Sequence, residues 1–397
     1  MAGLEKKRGL APEETLSESG GDPQERKEGE GGETGPRSPR RTRGEQTERL
    51  AALLRAVEGA ERVVILTHDN PDPDSIACVA ALAFLLDRAA GLSSTFAVGG
   101  IIGRAENRAL IDELDLTFQR VETVQFASDA LVALVDTQPR AGNNSLPGGR
   151  IATLVIDHHP LRPESSSATF ADVRPEYGAC CSILVEYLRA AKLEPDRRLA
   201  SALFYGIQTE TMDLGREVSE ADVGASLYLY PRSDPAAISR IRHARVPPGF
   251  FQSLHSALER AWRADGVICV PAGRLDYPDM VAQLADFFMR VEGVVWVIAS
   301  GLYHDDLLLS LRTLQPEAHA GELVREVVGG RGSAGGHGTM AGARISIRNL
   351  GEGEVEELLQ SLFSELCAAL GVTGREPESI IPPEPPSPAA GEGDDEA

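Results

Sequence analysis

The 397-residue sequence predicts an α/β fold: an N-terminal, mostly parallel sheet with helices on both faces, followed by a smaller C-terminal α/β domain. Three observations predict it. Apolar runs of strand length alternate with longer runs of helical period, as in sheets covered by crossover helices. Polar clusters rich in Asp and His directly follow several of those runs, the place where open parallel sheets bind ligands. Hydrophobic residues make up 42% of the chain, enough for globular cores built from Leu, Val, Ala and Ile, since aromatics are only 5%.

Residues 1–46 are rich in Gly, Glu, Arg, Pro and Ser and nearly lack large apolar side chains. Such a segment cannot bury enough surface to offset its ordering entropy, so a disordered tail is expected. A first domain over 47–235 opens with a strand at Val63–Leu66 and a helix at Ile76–Ala90. Strands at Thr95–Val98, Leu131–Val135 and Thr153–Ile156 follow, then helices at Cys180–Ala191 and Leu199–Tyr205. A polar, arginine-bearing helical connector is expected over 236–263. The second domain, 264–373, reads as strand Val267–Val270, helix Met280–Phe288, and strands Val294–Leu302 and Leu307–Leu311. Helix Ala320–Val328, a glycine-rich loop, strand Arg344–Ile347 and helix Val355–Leu370 complete it. Residues 374–397, proline-rich and then acidic, read as a second disordered tail, and no internal repeat is present.

Charge narrows the function. The formal net charge of −21 excludes a generic nucleic-acid coat, which needs an extended basic track. A phosphorylated ligand would need a local arginine patch or bound metal; the chain has only four lysines, so its cations are mostly arginine. Five scattered cysteines without a C-x-x-C pair point away from thiolate zinc sites and disulfide frameworks, and fit a reducing cytosol. No apolar run is long enough to span a bilayer, so a cytoplasmic protein without membrane contact is expected.

The stretch LTHDNPDPDSIA, Leu66–Ala77, crowds His68, Asp69, Asp72 and Asp74 into one proline-stiffened loop. LVALVDTQP places Asp136 after a strand, ATLVIDHHP places Asp157, His158 and His159 after another, and FYGIQTETMD places Glu210 after a helical segment. A single aspartate at a strand end is usually a turn or helix cap. Several such clusters on neighbouring strands converge, and carboxylates gathered that closely require cations among them. Mixed carboxylate and imidazole ligands suit Mn²⁺, Mg²⁺ or Fe²⁺. A ligand set larger than four suggests two ions, about 3.5–4 Å apart.

The segments HDNPDPDS, VDTQP, DHHP and GIQTETMDLGR resemble the motifs of the DHH phosphoesterase superfamily. SLRT (Ser310–Thr313) and AGGHGTMAGA (Ala334–Ala343) resemble its C-terminal DHHA1 substrate domain. The resemblance extends over about residues 49–372 in the family's order and is closest to the nanoRNase and 3′-phosphoadenosine 5′-phosphate phosphatase type. It implies an active site in the cleft between the domains, with two divalent ions, manganese first and magnesium or iron as alternatives. His68, Asp72 and Asp136 would hold one ion; Asp74, Asp136, His158 and Glu210 the other, with Asp136 bridging. His159 and Asp157 would be catalytic, the first at the phosphate or moving a proton, the second orienting its histidine neighbours. Arg312, His337 and the amides of Gly335, Gly336 and Gly338 would grip the substrate's terminal phosphate or sugar. The sequence departs from the pattern where Thr209-Glu210-Thr211 replaces T-D-T, which leaves Asp213 as an alternative ligand, and where Ala334 and Met340 replace a glycine and an alanine.

The implied reaction is hydrolysis of short oligonucleotides (nanoRNA) or of 3′-phosphoadenosine 5′-phosphate by attack of a metal hydroxide. The alternative is a phosphodiesterase acting on cyclic dinucleotides or their linear products. A nucleotide-binding regulatory module impaired in catalysis is a third reading, to which only Glu210 lends support. The partner expected is a small nucleotide substrate, with a homodimer as the assembly considered.

Overall fold

The computed structural model describes residues 42–127, 130–372 and 377–381; the expected tails lie largely outside them. The first sheet contains β1 (Arg62–Leu66), β2 (Ser93–Val98), β3 (Phe118–Arg120), β4 (Leu131–Val135), β5 (Leu154–Asp157) and β6 (Phe170–Val173). All neighbours are parallel, in the order β3-β2-β1-β4-β5-β6. The chain works outward from β1 to β3, then crosses back to β4 on the other side of β1. Loops leaving the carboxyl ends of β1 and β4 therefore diverge, and a crevice opens where the order reverses.

Among the described residues, seven helices belong to this half: α1 (Arg43–Ala56), α2 (Pro73–Ala90), α3 (Ala105–Leu114), α4 (Cys180–Ala190), α5 (Arg197–Glu210), α6 (Glu220–Leu229) and α7 (Pro235–Arg242). Their apolar sides share one core with Val63 and Ile65 of β1, Ala133 and Val135 of β4, and Leu154 and Ile156 of β5. The alternate strand residues, Val64, Leu66, Leu134 and Val155, face the other way. There, among the described residues, segments such as those around Val121, Phe126, Leu146 and Ala168 cover the sheet instead of helices. The expected mostly parallel sheet with helices is present; on this face the β3–β4, β4–β5 and β5–β6 connections contribute single 3₁₀ turns and loops rather than long helices.

The second sheet is mixed, in the order β11-β12-β10-β9-β8-β7-β13. Its strands are β7 (Trp262–Ala264), β8 (Val267–Arg274), β9 (Trp296–Tyr303), β10 (Asp306–Thr313), β11 (Ser333–His337), β12 (Met340–Ser346) and β13 (Glu378–Ser379). Only β8 and β9 are parallel. Its helices are α8 (Pro248–Arg260), α9 (Met280–Phe288), α10 (Ala320–Val328) and α11 (Glu352–Ala369). Alternation along β9 sends Trp296 and Ile298 toward α10 and α11, and Val297 and Ala299 toward α8 and α9. This sheet is covered on both faces.

Several boundaries differ from expectation. α1 begins at Arg43, inside the expected tail, because Thr42 and Glu45 form a reciprocal capping box. The expected connector divides into α7 and α8; Ala257 of α8 and Ala261 join the core of the second sheet. The glycine-rich segment is largely strand β11, paired antiparallel to β12. Within the expected C-terminal tail, β13 adds an edge strand beside β7. None of the helices among the described residues is long and apolar enough to cross a membrane.

The two halves meet beside the carboxyl edge of the first sheet. A Cβ on Gly103 would lie 2.6 Å from the Tyr277 ring, and one on Gly338 would lie 2.0 Å from Glu217 Oε1. Gln283 of α9 donates to Glu106 Oε1 of α3 at 3.3 Å.

Candidate metal centre

Asp72 is the N-cap of α2; its Oδ1 accepts the Ser75 amide at 3.0 Å, with Pro73 in the first turn. α2 thus starts three residues before the expected Ile76, and Asp74 stands in its first turn. The loop before it is clasped from both sides. Asn70 Oδ1 accepts the Ile101 amide at 2.9 Å, Asp69 Oδ2 accepts Ser145 Oγ at 2.9 Å, and Asn107 donates to Pro71 O at 2.8 Å. Asp69 therefore ties the loop down, while His68 and Asp72 face the crevice.

Asp136 stands directly after β4 with φ of +58°, a left-handed backbone that a non-glycine residue adopts at a cost. It is 2% exposed. His68 Nε2 lies 3.6 Å from Asp136 Oδ2 and 3.6 Å from Asp72 Oδ2. On the other side, His158 Nε2 lies 3.5 Å from Asp136 Oδ1. These separations are longer than a normal N–H···O bond. His68 Nδ1 is 3.0 Å from the Asp69 carbonyl and His158 Nδ1 is 3.1 Å from the Tyr177 carbonyl. A backbone acceptor at Nδ1 selects the Nδ1–H tautomer and leaves Nε2 as the ligand atom, the usual outer-shell arrangement of a metal-binding histidine.

Asp157, 1% exposed, organises the next pair. Its Oδ1 accepts the His158 amide at 2.9 Å and lies 2.8 Å from His159 Nδ1, while Oδ2 accepts Gln138 Nε2 at 2.6 Å. Burial alone would raise its pKa, but the histidines and Gln138 outweigh that and hold it down at about 2. Gln138 went unnoticed in the sequence although it lies within VDTQP. A side-chain amide two residues after a strand-end aspartate is the signal available there.

Among the described residues three groups of ligand atoms lie within 4.8 Å of one another: His68, Asp72 and Asp136; Asp136, His158 and His159; and Asp74 with the buried thiols of Cys78 and Cys181. Asp136 is common to the first two. Asp74 and Glu210 fall outside those two. The Asp74 carboxylate accepts the Cys180 and Cys181 amides at 2.8 and 2.9 Å, anchoring the start of α4. Glu210 is the last residue of α5, not beyond it, and its charge is felt by Asp72 and Asp74. Burial first, and then those neighbouring charges, push Glu210 up to about 7 and Asp74 up to about 6. Asp213 points elsewhere: its side chain is 61% exposed and pairs with Arg242 at 3.1 Å. Of the two candidates, Glu210 is the one that faces the acidic cluster.

The residues fit divalent cations. Asp136 Oδ1 is buried without a hydrogen bond, an open acceptor that a bound cation would satisfy. Burial and the charges of Asp74 and Asp72 push the Asp136 pKa well up against the pull of His68. Carboxylate and imidazole donors suit manganese, magnesium or iron.

On the second sheet, Arg312 of β10 is already engaged: Nε donates to Asp286 Oδ1 at 2.6 Å, and one terminal nitrogen donates to Ser310 Oγ and Leu311 O, each at 2.9 Å. Gly335 and Gly336 lie in β11, and a Cβ on Gly335 would meet only open space. Gly338, at φ of +43°, turns the hairpin beside Glu217. His337 ends β11; its side chain lies outside the described residues.

Residues 62–207 match the DHH family, N-terminal domain, and residues 275–368 match the DHHA1 domain, together more than half of the chain. The chain belongs to the DHH family, in its DHHA1-containing form. It is 34% identical over 309 residues to an uncharacterized protein, MJ1633, of Methanocaldococcus jannaschii; the match takes in 77% of this chain and 63% of that protein's length. An exopolyphosphatase-related protein from Bacteroides fragilis shares the fold, with a TM-score of 0.58 at 13% identity over 81% of this chain and 97% of that one. Exonuclease RecJ bound to manganese aligns with 84% of this chain and 96% of that one at 14% identity, with a TM-score of 0.41, too low to carry weight.

Proposed function

We propose that the protein hydrolyses a phosphoester bond in a short oligonucleotide or in 3′-phosphoadenosine 5′-phosphate, using two divalent ions held around Asp136. One observation carries this reading: the buried Asp136 carboxylate presents one oxygen to His68 and the other to His158, at 3.6 and 3.5 Å. His68, Asp72 and Asp136 would hold one ion, and Asp136 and His158 the second, with Glu210 and Asp74 completing it. Bound there, the ions supply Lewis acidity and acidify a water for attack on phosphorus. Manganese is the first candidate on the donor set.

The chain's own residues supply the rest. Asp157 fixes His159 through Nδ1. That leaves His159 Nε2 as the atom to bond a phosphoryl oxygen or pass a proton to the leaving group. Gln138 holds Asp157 in turn. Gly335, with open space where a side chain would stand, offers backbone close to a substrate. A small substrate is favoured because a net charge of −21 supplies no basic track for a long strand. All five cysteines are free thiols, which supports a reducing, cytoplasmic setting.

The test is manganese-dependent release of nitrophenol from a bis-nitrophenyl phosphodiester, followed by initial rates on a dinucleotide, 3′-phosphoadenosine 5′-phosphate and a cyclic dinucleotide. Failure of the metal-loaded protein on all four would remove the enzymatic reading.

A further inference from the structure

A fourth loop reaches the same carboxyl edge, after β2, and none of the groups assigned above comes from it. Its sequence is Gly99-Gly100-Ile101-Ile102-Gly103-Arg104. Both of its ends are fixed. A Cβ on Gly99 would fall 1.9 Å from Asp69 Oδ1, and one on Gly100 would fall 2.4 Å from Asn70 Oδ1. Gly103 packs against the Tyr277 ring, and Asn107, one turn on, holds the Pro71 carbonyl. Arg104 thus leaves a backbone pinned to the His68–Asp72 loop on one side and to the second half of the molecule on the other.

The Arg104 side chain is 23% exposed, and among the described residues its guanidinium donates no hydrogen bond. The nearest carboxylate contact is Glu106 Oε1 at 3.9 Å from one terminal nitrogen. Asp286, Asp279, Glu106 and Asp72 surround it within electrostatic range. Three of these are otherwise engaged: Asp286 by Arg312, Glu106 by Gln283, and Asp72 by the Ser75 amide. The fourth, Asp279, has a buried Oδ2 without a hydrogen bond and balances the Arg104 charge without bonding the guanidinium. A largely buried fork of five N–H groups is costly unless acceptors complete it. An anion with several oxygens beside Asp72 would complete it.

We propose that Arg104 binds a nonbridging phosphoryl oxygen of the substrate at the metal centre, as a binding residue contributed by the β2 loop. The proposal rests on the phosphoester reading above. The planar guanidinium suits two oxygens of one phosphoryl group, and the pinning of its loop to the His68–Asp72 loop through Gly99, Gly100 and Asn107 brings it toward the phosphate that the ions would hold. Asp286, bonded to Arg312, also acts electrostatically on Arg104.

The experiment uses the full chain. Manganese is titrated into metal-free protein, and inorganic phosphate is then titrated into the manganese-loaded protein, for wild type, R104Q and R104K. R104Q should bind manganese as wild type does and bind phosphate about 10- to 100-fold more weakly, the loss expected for a charge-assisted hydrogen bond. R104K, which keeps the charge without the fork, should fall between. Phosphate affinity unchanged in R104Q overturns the proposal. So does a lowered melting temperature with unaltered phosphate affinity, which would make Arg104 a counter-charge for the surrounding acids. Should R104Q not fold, R104K decides: a loss of about tenfold supports the proposal, an unchanged affinity overturns it. Wild-type protein that binds manganese but no phosphate would instead sink the phosphoester reading itself.

Discussion

Asp136 concentrates the site's chemistry in one side chain. Its backbone takes a left-handed φ of +58°, and its Oδ1 is buried without a hydrogen bond. Both features cost free energy that surrounding structure or a bound cation must offset. Asp136→Ala should abolish turnover and remove manganese binding, as measured by calorimetric titration alongside the nitrophenol assay. The raised carboxyls give a pH prediction. Glu210 sits at about 7 in the fold against an ordinary value near 4.5, so the folded state holds a proton that the unfolded chain has released. Between those limits stability falls as pH rises. Asp74, raised to about 6, adds the same sign over its lower window. The melting temperature of metal-free protein should therefore drop from pH 4.5 to 7, and Glu210→Gln should flatten the drop. His68, Asp72, Asp136 and Asp157–His159 were legible because each stands where a strand ends. Asp74 was legible as part of the cluster, but its bonds to the Cys180 and Cys181 amides come from a helix more than a hundred residues away, a placement that no local pattern carries.

Elements bring these residues together, and their anchors can be broken one at a time. Gly99 permits the β2 loop to lie against Asp69; Gly99→Ala should displace that contact and cost about 1–3 kcal/mol in urea unfolding. The His158 side is held by the segment after β6. There the Arg174 guanidinium, 1% exposed, bonds Asp172 and Glu186 at 2.6 Å each, and the Tyr177 hydroxyl donates to Glu186. The Tyr177 carbonyl in turn faces His158 Nδ1. Arg174→Met would leave two buried carboxylates without their cation and should cost about 3–5 kcal/mol by the same measurement. Strands with continuous apolar runs were readable to within a residue or two, as in β1 and β4. The short strands β3, β7 and β13 and the helix α3 were not, because two- and three-residue pairings and mixed polar helices carry little periodic signal. The glycine-rich stretch misled for a physical reason: at Gly336, with φ of +151°, a Cβ would fall 2.3 Å from the Met340 carbonyl oxygen of the paired strand, so glycine here serves a hairpin rather than a flexible loop.

At the scale of the molecule, the strand order fixes where ligands go. β1 and β4 are neighbours whose connections run opposite ways; the His68–Asp74 and Asp136 loops leave their carboxyl ends, and Asp157–His159 leave that of the adjoining β5. Alternating strands and helices were enough to read a parallel sheet, whereas the loop cover of its second face was not readable, since loop and helix can cover a sheet with similar composition. The described structure begins at Thr42, the cap of α1. Removal of residues 1–41 should leave nitrophenol release unchanged. Removal through Gln46 discards the capping box and should lower stability by about 1 kcal/mol.

The Asp74 carboxylate, sitting across the starts of α2 and α4, has one more consequence. Together with Asn107 on the Pro71 carbonyl and Ser145 on Asp69, it braces the rim with bonds made entirely by the polypeptide. Such a vessel keeps its shape when drained. Chelation should silence the protein while its far-ultraviolet circular dichroism stays as it was, and refilling with manganese should revive it at once, with no refolding lag.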